Sequence, residues 1–186
     1  MLSQSIKEAT RDAHLRLEKK VVQKLKAIRS NQDYADFLKH FYAYFSHIER
    51  VIAPYITAEV LPDHAQRRNS SYIKNDIEAL GGNVTELPAT TTPSIDNTIK
   101  ALGALYVLEG SIMGGSIIVK MLEKEGITEG VSFFSGYGEA TGQMWGIFTE
   151  VLNNHAKTEA AEAEAIAIAN DTFEHFSYVF ADVAVA

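Results

Sequence analysis

Apolar residues recur along this chain at intervals of three, four and seven, with charged residues between them, and that spacing predicts helices almost from end to end. From Ser3 to about Arg29, the residues Ile6, Ala13, Leu17, Val21, Leu25 and Ile28 mark one face of an amphipathic helix. The stretch SNQDY at 30–34 supplies capping residues, after which Phe37, Phe41, Phe45, Ile48 and Ile52 form an aromatic-rich stripe ending near Pro54 and Tyr55. A more polar helix between Pro62 and Leu80 is closed by Gly81 and Gly82, and NVTELPATTTPS then reads as a loop. Pro93 before and Gly126 beyond bracket a long helical run from Ser94 to Glu125. Beyond the loop FFSGYGEATG comes a helix to about Asn154, and TEAAEAEAIAIANDTFEHFSYVF, with Phe173, Phe176 and Phe180 in register, predicts the last. No strand-like alternation, repeat or linker interrupts the pattern. The prediction is a single all-α domain over residues 1–186, a bundle of about six helices.

Length agrees with one core: 186 residues bury about 70 % of the surface that the unfolded chain exposes. A net charge of −7 offers no basic field for nucleic acid. The absence of cysteine excludes a disulfide scaffold, a thiolate metal site and a thiol nucleophile. The opening MLSQSIKEATRDAH lacks the apolar run of a signal peptide, and charge or glycine breaks the later apolar stretches, so a cytoplasmic protein with no membrane partner is expected.

One segment of the long helix resists its own environment. YVLEGSIMGGSIIVKML, residues 106–122, carries Gly110, Gly114 and Gly115, with Gly103 two turns before Gly110. Each mid-helix glycine costs about 0.8–1 kcal/mol relative to alanine, so the four weaken the helix by about 3–4 kcal/mol. At 100° per residue Gly103, Gly110 and Gly114 lie on one stripe. Bare backbone there serves either close helix packing or a flat, bulky ligand laid against a flexible helix. A large planar cofactor is the natural candidate.

A heme would need an axial ligand, and the chain has six histidines. His14 lies beside the apolar stripe of the first helix, with Glu18 one turn on, where a carboxylate can fix the tautomer of a ligating imidazole. The same pair also suits an ordinary exposed helix surface. His40 and His47 are about 10 Å apart along one helix, too far for one metal, and read as surface or packing residues. His64 and His155 fall near helix ends, and His175 lies among phenylalanines. No Glu-x-x-His, Walker, G-x-S-x-G or HExxH motif is present.

These features coincide in a known family. IKEATRDAHLRLEK resembles the proximal helix of the heme oxygenases, particularly the bacterial branch associated with phytochrome chromophore supply. YVLEGSIMGGSII resembles the glycine-kinked distal helix of that family, and TFEHFSYVF its last helix. The resemblance implies that His14 is the metal ligand, binding heme iron, and that Gly110 and Gly114 lie over the distal porphyrin face. It implies that Lys7 and Arg11, seven and three residues before the histidine, hold the propionates. The implied reaction uses O2 and an external electron donor to convert heme, both cofactor and substrate, to biliverdin, carbon monoxide and ferrous iron. A redox donor protein and a phytochrome accepting biliverdin would be its partners. Two departures stand out. Ser111 occupies the position after the first distal glycine, where mammalian-type members carry an aspartate, and residues 139–155 hold no lysine or arginine where many members place a basic pair. They favour one rival, a carrier or sensor that binds heme without degrading it. A thiamin-degrading relative would need a cysteine, which is absent.

Overall fold

A computed structural model describes residues 1–181, and within them the backbone forms eight α-helices and no strand. They are α1 (Leu2–Ala9), α2 (Arg11–Leu25), α3 (Asn31–Ile52), α4 (Ser70–Ala79), α5 (Thr98–Gly110), α6 (Ile112–Lys124), α7 (Thr141–His155) and α8 (Glu159–Val179). The last five residues of the expected domain lie outside the described ones.

Two of the expected helices are each broken in two. Thr10 divides the first: its buried hydroxyl donates back to the Ile6 carbonyl at 2.7 Å, and its backbone leaves helical geometry at φ −99°, ψ 0°. Such back-bonding bends a helix without disturbing its apolar spacing. The long run divides at Ser111, between α5 and α6. It also begins later than Pro93 suggests, at Thr98, because the Asn97 side chain accepts from Lys100 N at 2.9 Å and caps the helix there. Between Pro62 and Leu80 only α4 is α-helical. Asn69 caps it, and Glu49 of α3 accepts from Ser70 N at 2.7 Å, so residues 62–69 run as turns with one 3-10 turn at His64–Gln66.

Helix α5 forms the centre: every residue from Ala101 to Glu109 is buried, among α3, α7 and α8. Its approach to α8 is so close that a Cβ on Gly103 would lie 2.6 Å from the Ala165 carbonyl oxygen. Gly103 therefore serves helix packing, and the bare stripe expected through 103, 110 and 114 is corrected to two separate tasks. Around α5, Phe41 and Phe45 each pack edge-on against Phe133 and against Phe176, which stacks on Tyr44 at 4.7 Å. Thr98–Lys124 is long and apolar enough to cross a bilayer, contrary to the expectation from its glycines, but 56 % of its most apolar window is buried inside the protein. Its hydrophobicity is spent on the core.

Candidate functional site

Helix α2, which carries His14, packs against α6, which carries Gly114. On α2 the buried face is Ala13, Leu17, Val21 and Leu25, while His14 and Glu18 are exposed beside it. The His14 ring lies 5.4 Å from that of Phe173 on α8. Among the described residues it has no hydrogen-bond partner, so both ring nitrogens are available. Lys7, in the last turn of α1, and Arg11, at the start of α2, are exposed and without an ion pair among the described residues.

On α6, Met113, Gly114 and Ile117 lie on one side by their spacing, and Gly110, the last residue of α5, precedes them by three, four and seven positions. A Cβ at Gly114 would meet nothing within 4 Å, and Met113 and Ile117 beside it are 52 % and 63 % exposed. Together they make an apolar wall that nothing covers. At Gly110 an added Cβ would meet Trp145 of α7 at 3.7 Å, and Trp145 in turn packs on Tyr106 at 5.5 Å. Gly115 faces the other way, where an added Cβ would run into the Phe134 carbonyl oxygen. The loop 130–137 is thus pressed onto the back of α6.

That loop is held by Asp76, a buried carboxylate accepting from Ser132 N at 3.1 Å, Ser132 Oγ at 2.6 Å and Phe133 N at 2.8 Å. The Phe133 carbonyl, so fixed, accepts from Arg68 Nη1 at 2.7 Å, while the guanidinium stacks over the Phe133 ring at 3.9 Å. Arg68 Nη2 then donates to Ser111 Oγ at 2.8 Å, and Ser111 donates its own proton to the Leu108 carbonyl at 2.6 Å. Burial pushes the Arg68 guanidinium down to about 10, which leaves it charged at neutral pH. Its buried Nε–H has no partner.

Arg67 points elsewhere. It donates to Asp63 through Nε and Nη2, both at 2.8 Å, to Glu109 at 2.7 Å and to the Met144 carbonyl at 3.0 Å, joining the 63–67 turn to α5 and α7. Tyr137 accepts from Arg68 N at 3.1 Å and donates to Glu109 at 3.3 Å. Burial raises the Glu109 carboxyl, and the Arg67 charge beside it offsets this only in part. Beneath this network lies a cavity of about 230 Å³, lined by Glu49, His64, Arg67, Arg68, Asn69 and Glu109 over an apolar floor that includes Phe45 and Leu105. Sequence reasoning missed Arg67, Arg68, Tyr137 and Trp145. One signal was available: Glu109 is the lone carboxylate of α5, set among apolar residues, and a buried carboxylate requires a buried cation.

Four of the other five histidines have ordinary partners, and His64 lines the cavity. His40 stacks on Phe180, His47 shares a 2.7 Å hydrogen bond with Thr90, and His175 shares one of 2.6 Å with Thr91. His155 caps its own helix through the Val151 carbonyl.

Comparison with known proteins gives one answer. Residues 1–182 match the family model described as Heme oxygenase. The chain is 30 % identical to the heme oxygenase of Xanthomonas campestris pv. campestris over 145 residues, covering 77 % of this chain and 86 % of that protein. It is 26 % identical to the heme oxygenase PigA of Pseudomonas aeruginosa over 176 residues, 94 % of this chain and 88 % of PigA. Its fold superposes on the crystal structure of the NO- and CO-bound heme oxygenase from Neisseria meningitidis with a TM-score of 0.84 at 22 % identity, covering 100 % of this chain and 95 % of that one.

Proposed function

This chain belongs to the heme oxygenase family, and from that premise we propose which of its residues carry the conversion of heme to biliverdin, carbon monoxide and ferrous iron. Heme enters between α2 and α6. His14 binds the iron, Glu18 takes the hydrogen bond of the other imidazole nitrogen, and Lys7 and Arg11 pair with the propionates. The residues present fit a flat apolar ligand: Gly114 opens onto empty space, Met113 and Ile117 are bare beside it, and the opposing helix offers an imidazole with no competing partner.

The distal side differs from a carboxylate-based one in a definable way. Ser111 donates its proton to Leu108 and gives one lone pair to Arg68, so one acceptor site would be left for an ordered water on the distal side. Negative charge is replaced by a neutral acceptor polarised by a buried cation. Glu109, one residue before Gly110, is turned to Arg67 and takes no part in that pocket. Gly110 and Gly114 keep the distal wall within reach of O2, and a side chain at either would fill its space.

Electrons come from an external donor protein, biliverdin passes to an acceptor such as a phytochrome, and the reaction runs in the cytoplasm, where a chain without cysteine needs no oxidant. The observation that carries the assignment of residues is the uncovered face at Gly114 and Ile117 opposite the helix of His14. Addition of hemin followed by ascorbate under air tests it. The expected product is biliverdin, with the His14→Ala variant losing the low-spin spectrum of the complex. An unchanged spectrum in that variant would overturn the assignment of the ligand, and a stable oxygenated complex without biliverdin would favour a carrier.

A further inference from the structure

His14 is exposed and has no hydrogen-bond partner among the described residues, so nothing polar fixes the plane of its ring. The torsion that turns an imidazole about its Cβ–Cγ bond is broad, and a metal-bound histidine therefore needs a neighbour to hold it. Glu18, one turn on, is itself exposed and not bonded to the ring. The neighbour that the ring does have is aromatic. Phe173 of α8 is buried, and its ring lies 5.4 Å from that of His14 at an interplanar angle of 31°. Phe173 belongs to a row: Asn170, Phe173 and Ser177 stand at relative positions zero, three and seven, one stripe of α8. The Asn170 side-chain amide donates to the Ala9 carbonyl at 3.3 Å, at the break between α1 and α2. Lys20, six residues beyond His14, donates to the Ser177 carbonyl at 3.3 Å. The ring contact falls between these two bonds, which hold α2 in register with α8. The row also has a stiff backing, since Tyr44 donates to the Thr172 carbonyl at 2.8 Å and stacks on Phe176 at 4.7 Å.

We propose that Phe173 is a positioning residue for the axial ligand: its ring sets the plane of the His14 imidazole. The inference rests on the heme oxygenase reading and on His14 as iron ligand, and it adds a division of labour to both. A hydrogen bond to Glu18 selects the tautomer, because it needs a proton on one particular ring nitrogen. Packing against Phe173 selects the plane, because aromatic rings in contact prefer offset or tilted arrangements and resist the others. The plane has a chemical consequence. An axial imidazole donates into the iron d orbital that lies across its face, so turning the ring redistributes unpaired spin over the porphyrin.

The experiment has a heme-free and a heme-loaded arm. In the heme-free wild type, proton NMR should find the His14 ring signals, identified by their loss in His14→Ala, displaced from the positions of an exposed histidine by the ring current of Phe173. Phe173→Leu, which keeps apolar bulk without a ring, should return them to those positions, and Phe173→Tyr should leave them displaced. Wild-type signals at exposed-histidine positions would overturn the proposal without any variant. In the hemin-loaded protein, the ferric cyanide complex reports the imidazole plane through the spread of the heme methyl shifts. That spread should contract in Phe173→Leu and hold its wild-type value in Phe173→Tyr. A purely structural role predicts a lower melting temperature for Phe173→Leu with the spread unchanged, and that result would overturn the proposal, as would equal contraction in both variants. The two levels of the reading separate cleanly. A His14→Ala protein that keeps the wild-type methyl pattern removes the ligand assignment and this inference with it, whereas an unchanged pattern in Phe173→Leu, with the pattern lost in His14→Ala, removes this inference alone.

Discussion

At Ser111 every proton and all but one lone pair are already committed, the proton to Leu108 and an acceptor site to Arg68. Removing the hydroxyl therefore deprives a distal water of its acceptor and Arg68 of a partner. A hydrogen bond involving a charged group contributes about 1.5–3 kcal/mol, so Ser111→Ala should slow biliverdin formation about tenfold to a hundredfold in single-turnover assays, with the heme spectrum unchanged. Arg68→Gln should fall in the same range, since either change dismantles one linked unit. Glu49 shows a different consequence of burial. Its carboxyl is raised first by desolvation, with Glu109 adding to the shift and the Ser70 hydrogen bonds opposing it. The folded protein thus holds that proton more tightly than the unfolded chain. The resulting stability is complete below the ordinary value of 4.5 and is lost as pH rises through the folded value. Glu49→Gln should flatten the stability profile in the window just above pH 4.5, as measured by urea titration at a series of pH values.

At the scale of elements, the glycines of α5 and α6 separate by what surrounds them. Gly103→Ala drives a methyl to 2.6 Å from the Ala165 carbonyl and should lower the melting temperature of the heme-free protein by several degrees. Gly114→Ala meets open space, gains up to about 1 kcal/mol of helix propensity, and should raise it by about 2–4 °C while weakening hemin binding. The two substitutions are chemically the same, and calorimetry of both distinguishes packing from ligand space. In the sequence these glycines formed one stripe, because angular position is visible there and the neighbour across the stripe is not. The helical faces were legible because burial writes a 3.6-residue period into composition. The breaks were not: Thr10 and Ser111 interrupt the axis through one hydroxyl hydrogen bond each and leave the period intact.

Across the whole molecule, the proximal candidates were readable from a single helix, whereas the distal network draws on segments far apart in the chain. Arg67 and Arg68 come from turns, 42 and 43 residues before the Glu109 and Ser111 they bind, and turns carry no period to announce a buried side chain. Their importance is global. Arg67 ties the 63–67 turn, α5 and α7 together, and Arg67→Met leaves Glu109 buried without its cation. Loss of one partner of a buried pair costs about 3–5 kcal/mol, which at this chain length should lower the melting temperature by about 10 °C in a thermal scan. Trp145 links this architecture to something measurable. It is the chain's only tryptophan, and it leans on Gly110 at the edge of the uncovered wall. An indole so placed would lie within a few ångströms of a bound porphyrin, whose absorption drains the excited state of a neighbouring fluorophore. Loading of the site should darken the intrinsic emission nearly completely, and departure of the open-chain product should restore part of it. The molecule carries its own optical gauge of occupancy, readable turnover by turnover without a label.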